Sequence, residues 1–268
     1  MRIFLMVLLH FLALCVHAQN DSLFNRIKTI PGSFRAFTVD NLDNIYLESQ
    51  SNQLKKLNAA GDSVAVFNDV KRFGQASYID VSNPLRVLLY YRDFATIVVL
   101  DRFLNVRTTI DLRKQNIFQV RAIGQSFDNK IWIFDELENK LKKIDEEGRV
   151  MQETPDFRQA FGAVLLPQRI YDEGQLVYVY DSTLAVYVFD YNGALKNKIL
   201  ISGWQNFKVA NSYIYGSKGS TLYRYDIRSF RQDEWELPAP IAGAEAFSFP
   251  ASRLYALTKE GLAVFRFR

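Results

Sequence analysis

The chain has 268 residues, 49% of them hydrophobic and 14% aromatic, with 33 Lys and Arg against 29 Asp and Glu. That supports a sizeable core, while a net charge of +4 with no concentrated basic stripe argues against nucleic-acid binding. The one cysteine (Cys15) and both histidines (His10, His17) lie in the first 18 residues. If that stretch is removed, Ser-His-Asp and Cys-His nucleophiles, zinc cages, haem ligation and disulfides are all excluded.

Residues 1–18 have the pattern of a secretory signal. Arg2 supplies the positive start, Ile3 to Val16 is apolar apart from His10, and Val16-His17-Ala18 puts small residues before a cut at Gln19. Cleavage leaves 250 residues, 19–268, at a net charge of +3. Leu12-Ala13-Leu14-Cys15 resembles a lipobox, with Leu14 where a small residue belongs, so a lipid anchor is the weaker alternative. The Ala18-Gln19 junction resembles signal peptides of Bacteroidota. No later run is long and apolar enough to span a bilayer. No sorting module is recognisable before Arg268, so the expected location is the periplasm, with extracellular release as the alternative.

The first element, LFNRIKTI (23–30), reads as a strand standing outside any repeat. From residue 35 a unit of about forty residues recurs. FTVDNLDNIYLESQSNQLKKLNAAGDSVAVF (37–67) and VRAIGQSFDNKIWIFDELENKLKKIDEEGRV (120–150) share a strand, an Asp-Asn turn, Ile-Tyr or Ile-Trp, a polar turn and Leu-Lys-Lys-Leu/Ile. Second-strand anchors fall at Ile45, Leu88, Ile131, Val177, Ile214 and Leu254. Third-strand anchors fall at Leu57, Leu100, Ile144, Phe189, Tyr225 and Phe265, each of the first five followed by Asp or Asn. The segments alternate at period two and are rich in β-branched and aromatic residues; only PDFRQAFGA (155–163) suggests a short helix.

Four short strands every 36–45 residues predict an all-β chain forming a six-bladed β-propeller with four-stranded blades. VDNLDNIYLESQSNQLKKLNAAGDSV resembles a propeller repeat of the NHL or YVTN type, and the likeness extends over 19–268 as a single domain. The sixth unit (245–268) holds only three strands. The strand at 23–30 is expected to complete it and close the ring, removing two exposed sheet edges.

Inner strands near 35–40, 76–81, 118–123, 168–173, 206–211 and 244–249 would surround a central channel. Arg35, Arg121, Arg169 and Lys208 on them suggest an anion site, Arg offering bidentate forks. Pairing with neighbouring acids is the plainer reading of each Arg. The loops before the inner strands carry Lys71, Phe73, Arg113, Phe118, Phe161 and Trp204, a basic-aromatic rim suited to a protein partner or an acidic glycan. Trp204 is expected to be the most exposed of these, and Trp132 to be core.

Six-bladed calcium-dependent lactonases are the nearest enzyme class in likeness, which implies a channel cation on Asp40, Asp80, Asn211 and Glu245. Asp40-Asn41-Leu42-Asp43-Asn44 also reads as a simple Asx turn. Phosphate-binding glycine loops are absent. The sequence therefore favours a non-catalytic scaffold for an envelope protein, without cofactor. A metal-dependent hydrolase (with Ca2+) and an anionic glycan or peptide binder are the alternatives.

Overall fold

The computed structural model describes residues 24–248 and 253–267. The proposed signal at 1–18 lies outside them. Six four-stranded antiparallel sheets follow one another along the chain, and together they form the six blades of a β-propeller. Blades 1 to 5 are contiguous. Their inner strands are Phe34–Val39, Tyr78–Asn83, Val120–Gln125, Arg169–Glu173 and Gln205–Ala210, each followed by its second, third and outer strands. Blade 6 takes Ala246–Ser248, Arg253–Thr258 and Gly261–Phe267 from the end of the chain and its outer strand, Phe24–Pro31, from the beginning. Phe24 pairs with Phe267 and Pro31 with Gly261, so the ring closes as expected.

The repeat anchors are register partners. Ile45 faces Leu57, Ile131 faces Ile144, Val177 faces Phe189, Ile214 faces Tyr225 and Leu254 faces Phe265 across their ladders. Blade 2 departs by one residue: Leu88 pairs with Val99, and Leu100 with Val87. Both strands there are continuous apolar runs, buried on both faces (RVLLYY and TIVVLD), so a period-two pattern has nothing to fix its phase. The residue after each third-strand anchor locks the next turn. Asp101, Asp145, Asp190, Asp226 and Asn58 each accept two backbone amides from the following residues through one side-chain oxygen, at 2.8–3.2 Å.

The Leu-Lys-Lys motif has a physical reason too. Lys56 pairs across the ladder with Tyr46, and Lys143 with Trp132. The Lys56 ammonium lies 5.2 Å from the Tyr46 ring and the Lys143 ammonium 5.1 Å from the Trp132 ring. Both lysines are buried, with their amines bonded to Arg102 O at 2.9 Å and to Asp128 at 2.7 Å. Trp132 is core, as expected.

Apolar clusters fill the spaces between neighbouring blades, for example Leu88, Ile97 and Ile110 of blade 2 against Ile123, Ile131 and Ile144 of blade 3. The helix expected at 155–163 is a single turn, Phe157–Phe161, capped by Asp156 through the Arg158 amide. Short helical turns at Val70–Phe73 and Ala239–Ala242 were not legible as such. Among the described residues no helix is long and apolar enough to cross a membrane.

Candidate functional site

Every inner strand runs in the same sense along the channel, so successive connections alternate between the two ends of the ring. One end, the loop end, gathers the blade-to-blade loops and the second-to-third turns. The other, the turn end, gathers the remaining hairpins, including the Asp-locked turns.

The channel has a volume of about 560 Å³ and is lined by the inner strands, with Arg35, Asp80, Gln125, Arg169, Tyr171 and Lys208 among its polar residues. Most of its acids are engaged by the frame. Asp40 accepts the amides of Leu42 and Asn44 at 2.9 Å, the Asn44 side chain at 2.8 Å and the Tyr46 hydroxyl at 3.2 Å. This is the Asx turn. Asp80 accepts the Ser82 amide and, from blade 3, the Gln125 amide, both at 2.8 Å, which ties two blades together. The Asn211 amide donates to Glu173 at 3.0 Å, and Glu245 is exposed. Among the described residues no three acidic side chains converge. Calcium needs six to eight oxygens with free lone pairs. Asp40, Asp80, Asn211 and Glu245 all line the channel.

The cations divide differently. Arg35 is paired with Glu48, which is buried, and its guanidinium meets the side-chain oxygen of Gln75. Arg121 does not line the channel; it contacts Glu136 at 3.5 Å on the loop end. Arg169 and Lys208 line the channel with no carboxylate in ion-pair range among the described residues. Arg169 lies 5.0 Å over the Tyr78 ring and donates to Gln168 O at 2.8 Å. The Lys208 ammonium crosses the channel to Val39 O at 3.2 Å. The side chain is half-buried among the channel walls, and this desolvation lowers its pKa to about 8 against the pull of Asp40, Asp80 and Asp43. Tyr78 and Tyr171 share a hydrogen bond, and the Tyr171 hydroxyl donates to Phe207 O at 2.8 Å. Burial pushes Tyr171 up to about 12 and Tyr78 well above its ordinary value, so both remain neutral hydroxyls.

The expected rim is only partly a rim. Phe118 (51% exposed) and Phe161 stand out on the loop end, and Lys71 and Arg113 are exposed there. Phe73 is 8% exposed, stacked on Tyr91 at 4.9 Å under its loop. Trp204 is 7% exposed, which overturns the expectation that it is the open one. It stacks on Tyr223 at 5.0 Å and fills the space above Gly216, where a Cβ would come within 2.6 Å of its ring. A ring that large gains more by covering the gap a glycine leaves than by standing in water. Sequence reasoning missed Phe94, Leu137, Val164, Leu166, Leu184 and Leu200, all exposed on the same end. Their signal is topological: the second-to-third turns share an end with the blade-to-blade loops.

No family model matches the chain, and no curated protein matches it in sequence. Solved structures do match in fold. Virginiamycin B lyase from Staphylococcus aureus aligns with a TM-score of 0.56 at 14% identity, covering 90% of this chain and 86% of that one. The Neurospora crassa Pan2 WD40 domain aligns at 0.60 and 11% identity, covering 90% and 81%. The Myceliophthora thermophila Cps50 (Swd1) propeller domain aligns at 0.60 and 10% identity, covering 91% and 100%. At these identities the likeness defines the fold, a six-bladed propeller, and nothing finer.

Proposed function

We propose that this chain is a non-catalytic propeller of the cell envelope that docks a protein partner on its loop end. The observation that carries the reading is the arc of exposed apolar side chains on the loop end over blades 2 to 5, with Leu200 (81% exposed) its most open member and Phe118 beside the basic loop residues; the turn end exposes Leu42, Leu85, Phe103, Phe127 and Phe230 as well. Lys71, Arg72, Arg92, Arg113 and Lys114 flank it on the side of blades 1 to 3 and are exposed. A partner with an apolar patch beside acidic residues matches that surface. The solved structures contribute one further point. A histidine-to-alanine variant of the Staphylococcus lyase is catalytically inactive, and this chain has no histidine after His17. The signal-like start supports export, the periplasm is the location we propose, the repeat pattern supports an NHL- or YVTN-like propeller, and the likeness of the Ala18-Gln19 junction to Bacteroidota signal peptides supports a source in that group.

The test is affinity purification of the tagged full chain from gently crosslinked native envelopes, beside a Phe118→Asp/Leu200→Asp variant. A stoichiometric protein recovered with the wild type and lost from the variant is the expected result. Wild type recovered alone across several detergents overturns the scaffold reading and moves the glycan and hydrolase readings ahead.

A further inference from the structure

A propeller leaves one open sheet edge per blade on its circumference, a row of backbone donors and acceptors that another strand can join. Among the described residues each of the six sheets ends in an outer strand paired on one side only. Five of these strands carry charge that opposes such joining: exposed Arg107 in blade 2, Glu153 in blade 3, Lys198 in blade 4, Glu234 in blade 5 and Arg26 in blade 6. The outer strand of blade 1, Ser63–Phe67, reads SVAVF and carries none.

Its side chains divide between packing and solvent. Ala65 and Phe67 pack against the cluster between blades 1 and 2. Val64 and Val66 are 41% and 49% exposed. A bulge between Ser63 and Ala65 interrupts the ladder, and a bulge by itself discourages a newcomer. The outer strands of blades 2, 3 and 4 have one at the same place, so it belongs to the repeat. What sets blade 1 apart is the residue at the bulge: Val64, where blades 2 and 4 have Arg107 and Lys196. Beyond it Ala65, Val66 and Phe67 stay in regular register with Lys56, Lys55 and Leu54.

The occupant follows from the same absence of charge. A foreign strand bearing charge finds no counter-charge on this one. An uncharged, β-branched strand meets no opposition along it, and a second copy of the chain supplies such a strand. Antiparallel pairing of two identical strands is two-fold symmetric, and one such edge per ring stops the assembly at two. We propose that the chain dimerises through the blade 1 edge, two four-stranded sheets joining into one with the exposed valines of both copies side by side. The contact lies on the circumference, away from the channel and the loop end, and does not depend on the loop end having a partner. Five residues a side make a small interface, so the expected dissociation constant is about 1–100 μM.

The test is sedimentation velocity of the full chain, as the cell processes it, over about 1 to 200 μM. A reversible equilibrium between monomer and dimer is the expected result. Val64→Lys/Val66→Lys and Val64→Glu/Val66→Glu should each weaken it at least about tenfold, because like charges then meet across the two-fold. Mixed together, the two variants should form a heterodimer at least as tight as the wild-type dimer; only an edge that meets the same edge gives that rescue. Met151→Lys, at the bulge of the blade 3 edge, should dimerise as the wild type does. So should Phe118→Asp/Leu200→Asp at the loop end, which separates loss of loop-end docking from loss of the dimer. A monomer at every concentration, a dimer that survives both double variants, variants that stay apart when mixed, or assembly that grows beyond two overturns the proposal. Melting temperatures in dilute solution should match the wild type within about 2 °C, since both valines are exposed. If a double variant does not fold, Val66→Lys and Val66→Glu take its place in the same mixing experiment, with the same outcomes deciding.

Discussion

Aspartates lock turns at both ends of the ring, but in more blades at the turn end. At the turn end, Asp101, Asp145, Asp190 and Asp226 give their oxygens to the backbone amides of their own turns. At the loop end, Lys71, Lys114 and the apolar side chains of Phe118 and Leu200 are left to solvent. The turn end repeats from blade to blade and the loop end does not. Residues that recur in phase build the frame, and residues that break phase are the ones free to contact something else.

Removing residues 19–32 should break the comparison altogether, because it strips blade 6 of its outer strand and opens both ends at once. We expect the melting temperature to fall by more than about 10 °C, with loss of a single cooperative transition. Unfolding at the wild-type midpoint would show that closure contributes little.

Gly216→Val tests the frame at the loop end, the packing of a loop residue onto a blade. Its branched side chain would collide with the Trp204 ring, and overpacking of this kind costs about 3 kcal/mol, or roughly 6–12 °C for a chain of this size. Near-UV circular dichroism at the tryptophan bands should change with it.

Asp145→Ala addresses the turn end alone. Losing the amide bonds at the turn and the Arg149 contact at 2.7 Å should cost about 1–2 kcal/mol, seen as a fall of about 3–6 °C. Acid gives the same result without mutation. Burial pushes the Asp145 carboxyl up, but its hydrogen bonds from Arg149 and the turn amides outweigh that and leave it below the ordinary range. Asp101 is lowered by Asn105, and Asp226 by the Arg228 amide. A group whose folded pKa is depressed adds stability above its unfolded value and loses it as pH falls through the folded one. Stability should therefore drop below about pH 4, and the drop should be smaller in Asp145→Ala.

The smallest effect belongs to the loop end. Phe118→Asp with Leu200→Asp should shift stability by less than about 0.5 kcal/mol, since neither side chain is buried. A larger loss would mean that these residues support the frame after all.

The architecture was legible because the repeat is a backbone property: turn residues and anchors recur wherever the ladder needs them, and five of the six anchor pairs are true partners. Blade 2 slipped by one residue because its second and third strands, apolar on both faces, carry no alternation. The channel was legible as a place. Which of the expected cations were neutralised was not, because Glu48, the partner of Arg35, lies on the neighbouring strand and Glu136, the partner of Arg121, in the turn after one, at spacings no motif announces. Trp204 was misjudged for a related reason. Gly203 beside it in sequence suggested an open loop, while the glycine that receives its ring, Gly216, is on the second strand of blade 5.

The pairing of Phe24 with Phe267 sets an order of events. Phe24–Pro31 is made long before its partner, so the circle cannot close until Gly261–Phe267 has left the ribosome or a translocation pore. Until then the first blades exist as an open arc with a free edge at each side. A chain built this way folds late, pays loop-closure entropy over nearly its whole length, and offers chaperones a long window in which to hold it unfolded.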